Sequence, residues 1–141
     1  MTYLIQYAMS FLGVPYKWAG SNPISGLDCS GLLQCILQSV GMDPPGDQTA
    51  QGLFNHFEVS STWNSYTPGA LAFFGESVTK ITHVAFLIDQ YRMIEAGGGG
   101  HLTLTKEDAA LQNAFVRIRL IKSRKDLVAV IKPRYATIGM I

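Results

Sequence analysis

Asn22-Pro23-Ile24-Ser25-Gly26 is a run of turn-formers that no helix would contain, and directly after it the chain switches to helical periodicity. Apolar side chains recur at Cys29, Leu32, Leu33, Ile36, Leu37 and Val40, the i, i+3, i+4, i+7, i+8, i+11 stripe of an amphipathic helix. Gly41 supplies a C-terminal stop, and Pro44-Pro45 forbid continuation. With Asp28 as N-cap, Cys29 falls in the first turn of a buried helix. Backbone N–H groups there are unpaired and the helix dipole is positive, which favours thiolate over thiol. A nucleophile and a set of oxyanion donors would then share one spot. A cysteine on an apolar stripe is ordinarily core packing, so its position alone does not establish chemistry.

The chain has 141 residues, 48% of them hydrophobic, which predicts a single domain over residues 1–141 able to bury a proper core. Eleven basic against ten acidic residues give a formal charge of +1. Its longest basic patch, Lys122-Ser123-Arg124-Lys125, reads as a solvated turn between two strands, so neither nucleic acid nor a membrane surface is indicated as a partner. Two cysteines are too few for a disulfide scaffold. On one helix, Cys29 and Cys35 would have Cα atoms roughly 9 Å apart at ~1.5 Å rise per residue, and Cys35 would point away and serve packing. Met1 to Tyr7 shows no basic n-region and no long apolar h-region. The expectation is a chain made in the cytoplasm without a signal peptide or a membrane span.

Taken in order, Tyr3 to Leu12 predicts a short helix ending at Gly13. Val14 to Gly20 follows as an extended aromatic loop, in which Trp18 reads as core. Tyr16, fixed by the preceding Pro15, can serve either the core or a ligand through its hydroxyl. Asp47 to Phe57 predicts a helix with an acidic N-terminus, carrying His56 on a polar flank with no chemistry assigned. Ser60 to Tyr66 reads as polar linker before the turn Thr67-Pro68-Gly69. The period then changes to that of strands: Ala70–Phe74 closed by Gly75, Thr82–Ile88, Arg92–Ala96, Val116–Leu120 and Leu127–Ile131. Four glycines, Gly97 to Gly100, make an open loop, and Lys106 to Asn113 a helical turn. Helices first and an antiparallel meander second argue for an α+β domain with the helices on one side of a sheet.

His83 heads the strand Thr82–Ile88, with positions 83, 85 and 87 on one face. If Asp89, Gln90 and Tyr91 form a three-residue hairpin loop, Glu95 pairs opposite Ala85 and lies diagonal to His83 on that face. A carboxylate there can orient the imidazole and leave its other nitrogen for a third group, the logic of a nucleophile–base–orienter triad. A two-residue loop would turn Glu95 to the wrong face. Singly, Glu95 is an ordinary strand acid and His83 an ordinary polar edge.

Together the blocks resemble a known family. Leu12-Gly13-Val14-Pro15-Tyr16-Lys17-Trp18-Ala19-Gly20, Asp28-Cys29-Ser30-Gly31, Pro68-Gly69-Ala70-Leu71-Ala72-Phe73-Phe74, Thr82-His83-Val84-Ala85 and Met93-Ile94-Glu95-Ala96 are similar, in order and spacing, to NlpC/P60 papain-like cysteine peptidases of bacterial cell-wall peptides. The resemblance covers roughly residues 3 to 133. It implies a papain-like fold, Cys29 as nucleophile and His83 as general base. Glu95 falls in the third slot, where the family often has a second His and sometimes Asn or Gln; an anion there would hold the imidazolium more firmly and move the pH optimum upward. His101, just past the glycines, is the alternative third member. Tyr16, Asp28 and Ser30 match positions that line the cleft and in some members bind the free amino end of the stem peptide. Ala19 stands where Gly is usual, and Val84–Ile88 is more apolar than typical.

The implied reaction is attack by a Cys29 thiolate on a stem-peptide amide, by analogy the bond from γ-linked D-glutamate to meso-diaminopimelate or lysine, through a thioester and without metal or organic cofactor. Three rivals remain on the same residues: an amidase or acyltransferase, a phage tail or virion component with secondary peptidase activity, and an inactive binding module. A lone catalytic domain would suit a phage protein, partnered by tail or lysis proteins.

Overall fold

The structure, a computed structural model, describes residues 1–135; positions 136–141 of the expected 1–141 domain lie outside the described residues. In order the elements are α1 (Thr2–Met9), β1 (Ser21–Asn22), β2 (Gly26–Leu27), α2 (Cys29–Gln38), α3 (Ala50–Phe57), β3 (Thr62–Trp63), β4 (Leu71–Ser77), β5 (Lys80–Leu87), β6 (Arg92–Gly97), α4 (Lys106–Gln112), β7 (Phe115–Leu120) and β8 (Leu127–Lys132). β3 to β8 form a six-stranded antiparallel sheet in the order β3-β8-β4-β5-β6-β7, with β1 and β2 a small hairpin leading into α2. This is the α+β architecture that the element order predicts.

α2 begins where the turn-formers end. Asp28 is its N-cap, accepting from the Gly31 N–H at 2.7 Å, and Leu32, Leu33, Ile36 and Leu37 are fully buried against the sheet. Burial of each is worth roughly 2 kcal/mol, which holds the Cys29 end of the helix against β5 and β6. The helix-facing side of the sheet supplies Leu71, Phe73, Val84, Phe86, Ile94 and Ile131 to the same core. A second apolar cluster, Ala72, Phe74, Ala85, Leu87, Met93 and Ile121, covers the opposite face. Both faces of β4 and β5 are therefore buried, which is why these strands read as unbroken apolar runs rather than alternations.

Five expectations need correction. The meander runs only from β4 to β7; the chain then crosses the sheet and β8 inserts beside β4. The supposed linker 60–66 contains β3, which finds in β8 an edge that no local pattern could announce. α3 starts at Ala50, not Asp47, because Thr49 rather than an acid caps it, accepting from Gly52 N–H at 3.0 Å. Gly75 does not close its strand; it sits at a bulge with φ 159°, and β4 runs on to Ser77. Trp18 is not core: it is 49% exposed, because it lines a cleft.

Candidate active site

Cys29 is the first residue of α2 and is half-buried. Backbone contact fixes it there. Asp28 N–H donates to Gly20 O at 2.9 Å, and a Cβ on Gly31 would collide with that same carbonyl. Ser30 Oγ donates to Asp28 Oδ1 at 3.2 Å. Burial raises the Asp28 carboxyl and the neighbouring Asp47 adds to it, while the bonds from Gly31 and Ser30 pull the other way.

β5 and β6 pair as Phe86 with Ile94 and Leu87 with Met93, the register of a three-residue loop. The ladder stops there, and in the gap beyond it His83 Nε2 lies 2.7 Å from Glu95 Oε1. That leaves the other ring nitrogen for Cys29, which lines the same cavity and raises the imidazole pKa. Burial alone would lower the His83 pKa, but the bonds to Cys29 and Glu95 and their negative charge outweigh it and raise it to about 9. Glu95 is fully buried. Its burial favours the neutral acid, yet His83 and then Arg119 hold it down to about 2.

The second carboxylate oxygen adds the smaller part of that hold. Glu95 Oε2 accepts from an Arg119 Nη at 3.0 Å and lies 3.6 Å from Arg117 Nε. Both arginines reach it because β6 and β7 pair Glu95 with Arg117 and Met93 with Arg119, which puts all four on one face. The alternation of Val116 to Leu120 displays the two arginines as a pair, but only the strand register ties them to Glu95. Arg124 was likewise missed within its supposedly solvated patch. It forks onto Asp126 at 2.9 and 2.7 Å and lies 4.9 Å over the Phe74 ring, itself 5.5 Å from the His83 ring.

Two cavities flank Cys29, sharing Tyr16, Trp18 and Thr82. One, about 270 Å³, is lined by Asp28, Ser30 and Asp47. The other, about 250 Å³, is lined by His83, Glu95, Gly97 to Gly100, Arg119 and Arg124. A larger apolar cavity of about 570 Å³ beside Tyr66, Tyr91 and Leu120 shares only Arg124 with these groups. The glycines let the loop press close: a Cβ on Gly97 would sit 2.7 Å from Glu95 Oε2, and one on Gly99 would strike the Tyr16 ring. Tyr16 is buried, and burial followed by the charges of Cys29 and Asp28 raises its pKa, so its hydroxyl stays a donor.

The structure thus brings Cys29, His83 and Glu95 together, with Tyr16, Asp28 and Ser30 beside them. His101 is apart. It is exposed on the loop, packed edge-on to Trp18 with ring centroids 6.2 Å apart, and Glu95 occupies the position behind His83. Cys35 is half-buried with Sγ 3.6 Å from Ser21 O. Among the described residues no three His, Cys, Asp or Glu side chains gather as a metal ion would require, and no helix is long and apolar enough to cross a membrane.

Comparison with known proteins shows the family and the fold. The family model described as NlpC/P60 matches residues 13–121. The chain is 35% identical over 99 residues to the bifunctional muramidase/DL-endopeptidase CwlT of Bacillus subtilis, covering 69% of this chain and 29% of that protein. It is 35% identical over 95 residues to a gamma-D-glutamyl-L-lysine dipeptidyl-peptidase of Bacillus cereus, covering 66% and 27%. The chain therefore spans less than a third of either relative. The crystal structure of the NlpC/p60 domain of the peptidoglycan hydrolase SagA superposes with a TM-score of 0.70 at 20% identity, over 93% of this chain and 97% of that one.

Proposed function

The chain belongs to the NlpC/P60 family, and from that premise we propose that it is a cysteine endopeptidase cutting peptidoglycan stem peptides between γ-linked D-glutamate and the following diamino acid. The observation that carries this reading is Cys29 in one cavity with His83, which is bonded at 2.7 Å to a fully buried Glu95, with a second cavity on the other side of Cys29.

The acyl half of the substrate lies on the Asp28 side. Asp28 and Asp47, with no cation in that lining, meet the free amino end, and Ser30 and Tyr16 offer hydroxyls. The scissile carbonyl sits over the α2 N-terminus. Cys29 Sγ attacks as thiolate and forms the C–S bond. First-turn N–H groups and the Tyr16 hydroxyl take the developing oxyanion. His83, protonated across the neutral range, gives its proton to the amide nitrogen as the C–N bond breaks and the amine departs. Water then attacks the thioester with His83 as base, and Cys29 is released. Glu95 holds the imidazole in place throughout, and the cell-wall peptide is the only partner the chemistry calls for.

Mass spectrometry of peptidoglycan fragments incubated with wild type and with Cys29→Ala tests the proposal. Products split after D-glutamate, absent with Cys29→Ala, are the expected result. Products split at the sugar–peptide amide would move the protein to the amidase reading, and no products from folded protein would leave a binding role as the better account.

A further inference from the structure

We propose that the His83 half of the cleft is a subsite for a carboxylate carried by the residue that departs with the amine. This rests on the peptidase reading above, which already sets the direction of the substrate: the departing nitrogen takes its proton from His83, so the departing residue lies on the His83 side of Cys29.

That side is cationic and has room. Its charged lining is His83, Glu95, Arg119 and Arg124. Glu95 is buried with both oxygens engaged, one on His83 and one on Arg119, so it offers no anion to the cavity. Asp126, the partner of Arg124, is not part of that lining. Each guanidinium has five N–H donors. Arg124 gives Asp126 only its Nε and one Nη, and Arg119 bonds Glu95 through one Nη. Their side chains remain 27% and 31% exposed, enough to face a ligand. The fork onto Asp126 and the Phe74 ring beneath hold Arg124 in one pose, so little side-chain freedom is lost on binding. The loop leaves space in front: a Cβ on Gly100 would meet nothing within 4 Å. A planar carboxylate suits such a pair of forks, whereas a neutral amide gains little and an ammonium is repelled.

The source can be the α-carboxylate of the departing residue or the side-chain carboxylate of a diaminopimelate. Three peptides with the same L-alanyl-γ-D-glutamyl head separate them. The departing residue is L-lysine amide, with no carboxylate, free L-lysine, with the α-carboxylate, or meso-diaminopimelate amidated at its α-carboxyl. At least one acid should be cut with kcat/KM about tenfold or more above the lysine amide, the size of a charge-assisted hydrogen bond, and the better acid identifies the carboxylate. Raising the salt concentration should shrink the ratio. Arg124→Met should bring it close to one, and Arg124→Lys, which keeps the charge but not the fork, should keep only part of it. Equal cleavage of all three peptides by wild type overturns the subsite and leaves the peptidase reading standing, as does an undiminished ratio in Arg124→Met for that residue. Should Arg124→Met fail to fold, the wild-type series and Arg124→Lys still decide. Cleavage of none of the three, with Cys29 intact, removes both readings.

Discussion

On one side of Cys29 the cleft is acidic and assembled from neighbours in the chain; on the other it is cationic and assembled from distant strands. Asp28 and Ser30 adjoin the nucleophile, and Asp47 is brought up by one side chain. Gln34 donates to Asp47 Oδ1 and Gln48 O and accepts from Gln48 N–H, each at 3.1 Å. The cationic half draws His83 from β5, Glu95 from β6, Arg119 from β7 and Arg124 from the crossover to β8. A slip of one residue in β6 would turn Glu95 to the other face and undo that half, while leaving the acidic half untouched. On the proposed reading, recognition of the amino end thus depends on a helix cap, and proton transfer on strand register.

The largest break in that asymmetry is Glu95→Gln. It keeps a hydrogen-bonding shape but removes the charge that raises His83, so kcat/KM should fall about a hundredfold. The alkaline limb of its pH profile, set by His83 at about 9, should move down. Thermal melts at several pH values check the same pair. The raised His83 adds stability in full below its ordinary 6.5, lost as pH rises through about 9; the lowered Glu95 adds stability in full above its ordinary 4.5, lost as pH falls toward about 2. Wild type should therefore gain more over Glu95→Gln between those ordinary values than at either extreme.

Arg119→Met comes next, with kcat/KM down roughly thirtyfold. Losing a cation beside Glu95 lets both Glu95 and His83 pKa values rise, so the limb moves up rather than down. Measured on the lysine-amide peptide, which brings no carboxylate to that cavity, its cost should largely vanish when combined with Glu95→Gln, because the arginine then has no anion to hold. Additive losses would make Arg119 a separate support. Asp28→Asn probes the other half. It keeps the cap but loses a negative charge, so KM for peptides with a free amino end should rise about tenfold, with little change for N-acetylated peptides. An equal change for both would show that Asp28 does not read the amine. The smallest effect belongs to Ala19→Gly. Ala19 holds φ 58°, a left-handed conformation that costs a non-glycine residue about 1 kcal/mol, so a melt should rise by a degree or more on the order of that relief.

Legibility followed the same divide. The stop–start at Gly26 to Asp28, the buried stripe of α2 and the apolar runs of β4 and β5 are local signals, and they give the fold class. His83 with Glu95 was within reach because a single hairpin separates them and its loop length could be weighed. Arg119 and Arg124 were out of reach, since their placement depends on β6–β7 pairing and on a crossover that carries no periodic signal. Trp18 misled for a physical reason: an indole in an apolar loop looks the same in sequence whether it fills a core or walls a cleft.

The insertion of β8 beside β4 has a consequence for how the molecule is made. A ribosome releases Cys29, His83 and Glu95 well before Arg124 and the last strand. Until β8 arrives, the hydrogen-bonding edge of β4 facing away from β5 stands open, an apolar strand ready to pair with whatever chain is nearby. A chain stalled short of Leu127 would hold Cys29 and His83 on an unsealed sheet, and quality control would meet it as an aggregation hazard before it could act as an enzyme.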